Sequence, residues 1–366
     1  MSTAGKGNRK LKAKCFCGSV HFMLDVSPSH LPLHVHLCHC SYCHYRLGAP
    51  CVFHFKAPKD AALRYIAPSS TAKVSRYTPL EASGAGVLLE RGCHIFDESL
   101  SEDGRLAPSS SIFEDQSDAV FQIKRHIYSH SAKDGGPASC MSPNINSRLI
   151  EDWNHPKEGQ PDAKIVESRQ EHHADGTKRL RVQCHCGGVS FTFTRPTADM
   201  VADTEHFAKS VSPVDPAKWR ATWDVCSDCR LVNGTHVVGW TYIPRILCDP
   251  PIARDLKIGT LRVYASSPDV QRSFCTTCGA TVFFTHADRC PSDEKQIVNV
   301  ATGLLRAPEG TMAEDWLTWK SSLSHPDNGR RFDTGFFDAL AAGMRTWTTQ
   351  RYGRELDFII PRKRYM

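Results

Sequence analysis

The chain has 366 residues, a formal net charge of +6 and 40% hydrophobic residues. This length predicts two domains of ordinary size, and the apolar content suffices for a core in each, which excludes general disorder. No stretch approaches the roughly 20 apolar residues of a membrane helix, and the polar, basic residues 1–14 contain no apolar run. We therefore predict a soluble protein of the cytoplasm or nucleus.

The sixteen cysteines of the chain indicate metal binding. In a reducing compartment, clustered cysteines bind metal more often than they form disulfides, so zinc is the expected cofactor. The positive charge is spread along the chain, and its densest patch, at residues 6–14, is interpreted as a solvated tail. Neither a membrane nor a nucleic acid is an expected partner.

Two cysteine patterns occur twice, in the same order. Residues 15–22 read CFCGSVHF and are followed by CHCSYC at residues 38–43. Residues 184–191 read CHCGGVSF and are followed by DVCSDC at residues 224–229. An internal repeat of whole units is the simplest interpretation.

A third element is complete only in the second copy, where residues 274–283 read FCTTCGATVF. Aligning GCHIF at residues 92–96 with the end of this run places Leu88 and Arg91 where Cys275 and Cys278 stand. The spacing supports this alignment, because Cys43 precedes Gly92 by 49 residues and Cys229 precedes Gly279 by 50.

Short strand-like runs bounded by glycine and proline predict a mainly β fold of two tandem zinc-bearing modules, each made of small twisted antiparallel sheets. The predicted strands cover residues 19–24, 49–55, 120–128, 189–193, 235–243, 273–285 and 297–301. Polar stretches at 97–118 and 202–219 are interpreted as inserted loops. Apolar residues at helical spacing predict one docked helix over about 332–351. The expected divisions are a first module at 10–155, a linker at 156–179, a second module at 180–330 and a C-terminal helical extension at 331–366.

Four cysteines of the second module predict a structural zinc site. Tetrahedral zinc with four protein ligands is closed, and such a site contributes directly to folding. The alternative is buried free cysteines or a transient redox pair. The expected ligands are Cys184, Cys186, Cys275 and Cys278.

The first module keeps a compact triplet of Cys38, Cys40 and Cys43. Three ligands leave one position open for a substrate, so these cysteines are the expected catalytic metal ligands. The alternative is that Cys51, Cys93 or a nearby histidine closes the site and makes it structural.

The remaining candidate ligands form incomplete sets. Cys15 and Cys17 are expected ligands that lack the partners found in the second copy. Asp224 replaces the first cysteine of the second triplet, so Asp224, Cys226 and Cys229 either hold a metal at a harder site or are vestigial.

As a set, these cysteine patterns resemble the glutathione-dependent formaldehyde-activating enzyme and centromere protein V family, in two copies. The resemblance implies a zinc-bearing all-β fold with a structural zinc on the first and last cysteine pairs and a catalytic zinc on the middle triplet. The named reaction of the family joins glutathione to formaldehyde and is classed as a carbon–sulfur lyase activity in reverse. The expected small-molecule partners are therefore a thiol such as glutathione and an aldehyde or a thiol conjugate.

Two hypotheses from different classes follow. The first is an enzyme that adds a thiol reversibly to formaldehyde or a related electrophile at the first-module zinc. The second is a non-catalytic zinc scaffold that binds chromatin, cytoskeleton or another protein. A nucleic-acid-binding zinc ribbon is disfavoured, because the chain lacks the interleaved basic and aromatic residues of such readers.

Overall fold

The computed structural model describes residues 7–78, 87–90, 92–97, 106–154 and 168–359, with only the backbone at 87–90. Short strands in small, mostly antiparallel sheets dominate, and a helical segment closes the described chain. The prediction of a mainly β fold with C-terminal helix is confirmed. Within these residues, no helix is both long and apolar enough to cross a membrane.

The N-terminal half contains three small sheets, with strand orders β1-β2-β5, β6-β7-β8-β9 and β13-β10-β3-β4, and a β11-β12 hairpin. Strand β10 runs parallel to both β3 and β13. The bounds are β1 (Arg9–Lys14), β2 (His21–Val26), β3 (Leu33–Cys38), α1 (Ser41–Leu47), β4 (Val52–Phe55), β5 (Ala62–Tyr65), β6 (Ser75–Tyr77), β7 (Val87–Glu90), β8 (Cys93–Asp97), β9 (Ala107–Pro108), β10 (Phe121–Ile127), α2 (Gly136–Ser139), β11 (Asn144–Ile145), β12 (Arg148–Leu149) and β13 (Glu151–Trp153).

The C-terminal half contains a three-stranded sheet, β14-β15-β16, and a seven-stranded sheet of order β19-β20-β21-β22-β18-β17-β23. The bounds are β14 (Glu171–His172), β15 (Lys178–Gln183), β16 (Ser190–Phe193), α3 (Ala198–Ala202), β17 (Trp219–Asp224), α4 (Ser227–Asn233), β18 (Val238–Pro244), β19 (Leu261–Ser267), β20 (Val270–Cys275), β21 (Thr281–His286), β22 (Ile297–Ala301), β23 (Leu317–Trp319), α5 (Pro326–Phe332) and α6 (Thr334–Tyr352). Single 3₁₀ turns lie at Pro28–His30, Thr71–Lys73, Ser110–Ile112, Ser129–Ser131, Phe207–Lys209, Arg245–Leu247, Ala287–Arg289 and Thr302–Leu304.

Side-chain alternation explains the outer strands, and continuous burial explains the central ones. In β1, Leu11 and Ala13 point inward while the intervening lysines face solvent. In β18, all seven residues are buried, as expected for a strand in the middle of a sheet covered on both faces. One apolar core runs through both halves of the chain, and Phe53 stacks on His236 across it with ring centroids 4.1 Å apart.

The two halves make reciprocal backbone hydrogen bonds. The amide of Phe16 donates to the carbonyl of Leu231 at 3.2 Å, and the amide of His185 donates to the carbonyl of Tyr45 at 3.0 Å. In the repeat alignment, Phe16 corresponds to His185 and Tyr45 to Leu231. Each cysteine loop therefore touches the short helix of the opposite half at the equivalent place.

The glycines that end these short helices lie equally close to the opposite half. Gly48 and Gly234 both adopt left-handed backbone conformations, with φ of 80° and 74°. A β-carbon on Gly48 would lie 2.1 Å from the carbonyl oxygen of Thr281, and one on Gly234 would lie 2.4 Å from that of His94. Both positions therefore require glycine for conformation and for space.

Several details differ from the sequence predictions. The run predicted at 273–285 is a hairpin, because the cysteine turn separates β20 from β21. The expected loop at 97–118 contains a buried turn in which Ser110 and Ser111 are fully buried, and residues 98–105 lie outside the described chain. The loop expected up to residue 219 ends at the buried Trp219, which begins β17.

The predicted C-terminal helix is present as α6, shifted by one or two residues, and is preceded by another helix. Helix α5 ends at Phe332, and α6 then runs from Thr334 with Asp333 as N-cap, its carboxylate accepting from the amide of Phe336 at 2.9 Å. All the apolar residues used for the prediction are buried: Phe336, Phe337, Leu340, Met344 and Trp347. The expected linker lies partly outside the described residues, at 155–167, and the domain boundaries stay a prediction.

Candidate metal centres

The Cys38–Cys43 group lies where strand β3 meets helix α1. Cys40 is the N-cap of α1, and its Sγ accepts a hydrogen bond from the amide of Cys43 at 3.4 Å. The Sγ atoms of Cys38 and Cys40 are 3.4 Å apart, and the three sulfurs all lie within 4.8 Å of one another. Negative charge on the capping sulfur of Cys40 is favoured, because the free amides and the dipole of a helix N-terminus attract it.

Burial is nearly complete around this group. Cys38, Cys40 and Cys43 are 0%, 7% and 1% exposed, and Tyr42 and Tyr128 pack against them. Hydrogen bonding among the three sulfurs, together with burial, raises the pKa of Cys38 and Cys43 well above that of an ordinary thiol. The same hydrogen bonds lower the pKa of Cys40 well below it. Three close thiolates suit zinc, which binds thiolate sulfur readily.

No further ligand joins this group among the residues that the structure describes. Cys51 and Cys93, which the sequence offered as closing ligands, pack in the main core instead. His44 is turned away, with Nδ1 bonded to the carbonyl of Gly303 at 2.9 Å. His39 is bonded to His126 at 2.8 Å.

A buried ion pair lies on the inner face of α1. Arg46 donates to Asp97 on β8 at 2.9 Å, and the two side chains are 0% and 4% exposed. The guanidinium also covers the ring of Tyr42, 4.4 Å from its centroid. Helix α1 is thereby tied to the sheet beneath the cysteines.

The second group unites four cysteines from two loops, as predicted. Cys184 and Cys186 follow β15, while Cys275 and Cys278 occupy the turn between β20 and β21, and their sulfurs lie within 4.8 Å of one another. The Sγ of Cys186 is 3.6 Å from that of Cys184 and 3.5 Å from that of Cys275. Hydrogen bonding with Cys184 lowers the pKa of Cys186 to about 7. This donor set fits tetrahedral, closed zinc.

The equivalent loop of the first half contains Cys15 and Cys17. The Sγ atoms of Cys15 and Cys17 are 3.5 Å apart, and no third ligand forms a group with them among the described residues. Leu88 lies on β7, where the structure gives backbone alone, and Arg91 lies outside the described residues. Metal binding by Cys15 and Cys17 stays a prediction.

The third group brings in a residue that the sequence analysis missed. Asp224, Cys226 and His325 have their ligand atoms within 4.8 Å of one another. His325 Nδ1 lies 3.0 Å from Asp224 Oδ1, and this contact lowers the pKa of the carboxyl group against the opposing effect of burial. The predicted third ligand, Cys229, is not in this set, although its Sγ is 3.7 Å from Asp224 Oδ2.

Two local signals mark His325 in hindsight. It immediately precedes Pro326, the first residue of α5, and its backbone is left-handed at φ 60°. A non-glycine residue in this region is uncommon and is often found at functional sites. The backbone of Ser324 also pairs with β17, since its amide donates to the carbonyl of Trp223 at 2.8 Å, and this brings His325 beside Asp224.

This third group borders a cleft. The cleft has a volume of about 770 Å³, and Asp224 and His325 lie in its wall. Helix α6 and the segment after β23 complete it. The cysteine groups at Cys38 and Cys184 contribute no residue to this cleft.

Comparison with known proteins matches one part of the chain. Residues 10–85 match the sequence model of the family described as glutathione-dependent formaldehyde-activating enzyme. The matched stretch contains the Cys15–Cys17 loop and the Cys38–Cys43 group. No curated protein matches the chain. The matched part of the chain is therefore similar to a domain of the formaldehyde-activating type, and that similarity fits a glutathione-related, carbon–sulfur lyase-type function.

Proposed function

We propose that this protein is a zinc-dependent enzyme that adds a thiol such as glutathione reversibly to formaldehyde or a related electrophile. The reaction centre is the group formed by Cys38, Cys40 and Cys43. The observation that carries this proposal is that these three sulfurs converge within 4.8 Å at a helix N-terminus, inside the stretch that matches the family.

The chemistry needs a thiol in its reactive form. When bound by the three cysteines, zinc supplies a Lewis acid that lowers the pKa of an incoming thiol. The thiol sulfur then forms a bond to the carbonyl carbon as the C=O π bond breaks, and the thiol proton ends on the new hydroxyl oxygen. The reverse reaction breaks the carbon–sulfur bond and releases the aldehyde.

Residues of the chain stabilise the charge on the cysteines and can donate a proton to the reacting oxygen. The amides at the start of α1 favour negative charge on the cysteines. Tyr128 packs against the group with a left-handed backbone at φ 58°. Burial, aided by the nearby cysteines, raises the pKa of Tyr128, so its hydroxyl stays protonated and can donate to a developing oxyanion.

We also propose that residues 180–330 are a second, diverged copy of the same module. Support comes from the paired helix caps, since Cys40 and Cys226 cap α1 and α4 with ψ of 150° in both. The reciprocal contacts of the two halves support it too. In this view, the four cysteines around Cys184 hold a structural zinc.

One observation favours a second candidate function. The near-complete burial of Cys38, Cys40 and Cys43 is also what a structural zinc in a non-catalytic binding protein would show. In the centromere protein V branch of the resemblance, such a protein would act as a scaffold. This alternative predicts zinc without thiol chemistry.

Exchange NMR of glutathione with ¹³C-formaldehyde tests the proposal, comparing wild type with Cys40→Ser and with a sample lacking protein. Serine is a good N-cap, so this change removes a sulfur ligand while retaining the cap of α1. Cys290→Ala is the matched control, because Cys290 belongs to none of the three ligand groups. We expect accelerated exchange for wild type and Cys290→Ala and loss of acceleration for Cys40→Ser. Equal rates with and without zinc-loaded protein would reject the enzyme and leave the scaffold.

A further inference from the structure

The cleft beside Asp224 has the composition of a ligand site. Two candidate metal ligands, Asp224 and His325, lie in its wall with basic and aromatic residues, and the third, Cys226, has its sulfur within 4.8 Å of their ligand atoms. The cleft volume of about 770 Å³ falls within the range of small-molecule sites. From this arrangement we propose a second metal centre, held by Asp224, Cys226 and His325, whose open position binds a small thiol that carries carboxylate groups.

The ligand set differs from that of a closed site. Aspartate, cysteine and histidine each bind zinc, and three protein ligands leave one coordination position free. Asp224 is only 5% exposed, whereas Cys226 and His325 are partly exposed, and His325 lines the cleft. Cys229 is held apart from His325 and receives a hydrogen bond from Arg272 at 3.6 Å, which supplies a cation for its sulfur.

The backbone of His325 is in a strained, left-handed conformation. A histidine at φ 60° is in a conformation that glycine or asparagine tolerates better. The amide of Ser227 donates to Asn328 at 3.3 Å, and this bond fastens the start of α5 to the start of α4. The strain is explained if the imidazole is needed beside Asp224.

Basic side chains on several elements line the same cleft: Arg289, Lys320, Arg330 and Arg345. The only acidic residues in the lining are Asp224 and Asp338. Asp338 is paired with Arg330 at 3.2 Å, and Asp224 belongs to the ligand group. Lys320 is paired at 3.9 Å with Asp357, which lies outside the lining. The balance of charge in the lining therefore favours an anion.

The floor and walls suit a ligand with an apolar part. Arg289 is 4% exposed and donates to Asn299 at 3.0 Å, so its charge is fixed at the bottom of the cleft. Tyr242, Phe284 and Phe337 form aromatic walls. A carboxylate directed at the basic residues and a sulfur directed at the metal together match this surface. This site is separate from Cys38–Cys43 and does not depend on the function proposed there.

The zinc content of the full-length protein tests whether Asp224, Cys226 and His325 hold a metal. Glycine at position 325 removes the imidazole and relieves the left-handed strain, so we expect His325→Gly to lose one equivalent of zinc per chain without a lower melting temperature in the metal-free state. His325→Cys should restore that equivalent. His173→Gly, at an exposed position outside the groups, is the control. Full zinc content in His325→Gly would overturn the assignment.

Spectroscopy separates this centre from the cysteine groups. In the cobalt-substituted protein, His325→Gly should remove one set of visible bands, whereas Cys40→Ser should remove another. Each variant removes a ligand from one centre only, so a negative result for one centre does not affect the assignment of the other. Identical spectra of His325→Gly and wild type would count against the second centre.

The ligand class is tested with 2-mercaptosuccinate as probe and 2-mercaptoethanol as its neutral comparison, by titration of the cobalt protein. We expect Arg345→Gln to weaken mercaptosuccinate binding about fivefold to tenfold, with unchanged metal content. Arg331→Gln, on α5 but outside the lining, is the matched control. Absence of mercaptosuccinate binding to wild type, or equal affinities in the two arginine variants, would reject the anionic ligand.

Discussion

The group of Cys38, Cys40 and Cys43 and the group of Asp224, Cys226 and His325 are built on the same local backbone but differ in their ligand atoms and in their exposure. In both, a strand ends at the first ligand, a cysteine caps a short helix, and a left-handed glycine ends that helix. The first group has only sulfur donors and is nearly fully buried, whereas the second has carboxylate, sulfur and imidazole beside an open cleft. The backbone thus fixes where ligands converge, while side chains determine the chemistry and the access.

The cysteine loops of the two halves differ in the same way. Cys184 and Cys186 form a four-cysteine group with Cys275 and Cys278, whereas the described residues around Cys15 form no group of three ligand atoms within 4.8 Å. A closed zinc site should therefore support the C-terminal half more strongly than its counterpart.

The largest expected effect tests this difference. Cys278→Ala should destabilise the C-terminal half by on the order of 5 kcal/mol or more, because binding of structural zinc is coupled to folding. Thermal unfolding and zinc content of the variant, with Cys290→Ala as control, measure the effect. Cys17→Ala should cost far less. Equal losses of stability in Cys17→Ala and Cys278→Ala would show that the two cysteine loops contribute equally to stability.

A smaller effect should come from the ion pair under α1. Arg46→Met leaves Asp97 buried without its cation and should cost about 3–5 kcal/mol, whereas the double variant Arg46→Met/Asp97→Leu should be close to wild type. The aligned residues of the other half, Val232 and Phe284, are already apolar and buried. Urea unfolding of the three proteins measures the difference. A double variant as unstable as the single one would show that the charges themselves are needed.

The smallest expected effect concerns pH. Burial lowers the pKa of His54 from 6.5 to about 4, so the folded state binds fewer protons than the unfolded state between these values. Above pH 6.5, this difference in proton binding adds about 3 kcal/mol to the free energy of unfolding. The contribution is lost as the pH falls from 6.5 through about 4. His54→Phe should flatten this part of the stability profile.

The comparison for this pH effect is an exposed histidine of the C-terminal half. His173→Gln is that comparison variant, because the His173 side chain is about half exposed. Denaturant unfolding at a series of pH values from 4 to 8 supplies the measurement. Parallel profiles for wild type and His54→Phe would mean that His54 contributes nothing to acid sensitivity.

Sequence patterns predicted the parts of the molecule that depend on local spacing. The convergence of Cys184, Cys186, Cys275 and Cys278 followed from the CxC and CxxCG runs, and burial of Phe336 and Trp347 followed from helical periodicity. These signals are contained in neighbouring residues. Strand type and ligand spacing were therefore accessible without a structure.

Long-range placement was not accessible. His325 lies 101 residues after Asp224, and only the pairing of Ser324 with β17 brings the two together. The burial of Ser110 and Ser111 likewise depends on the other half, since Ser111 is bonded to His236 at 2.6 Å. A serine run in a polar stretch gives no local sign of such a partner.

The close approach of Gly48 to Thr281, and of Gly234 to His94, has a consequence for how the molecule behaves on dilution. Two separate chains joined by such contacts would dissociate at low concentration, but the linked halves meet at a high effective concentration. Their association is intramolecular and carries no translational entropy cost on dilution. The melting temperature should thus be the same at nanomolar as at micromolar protein.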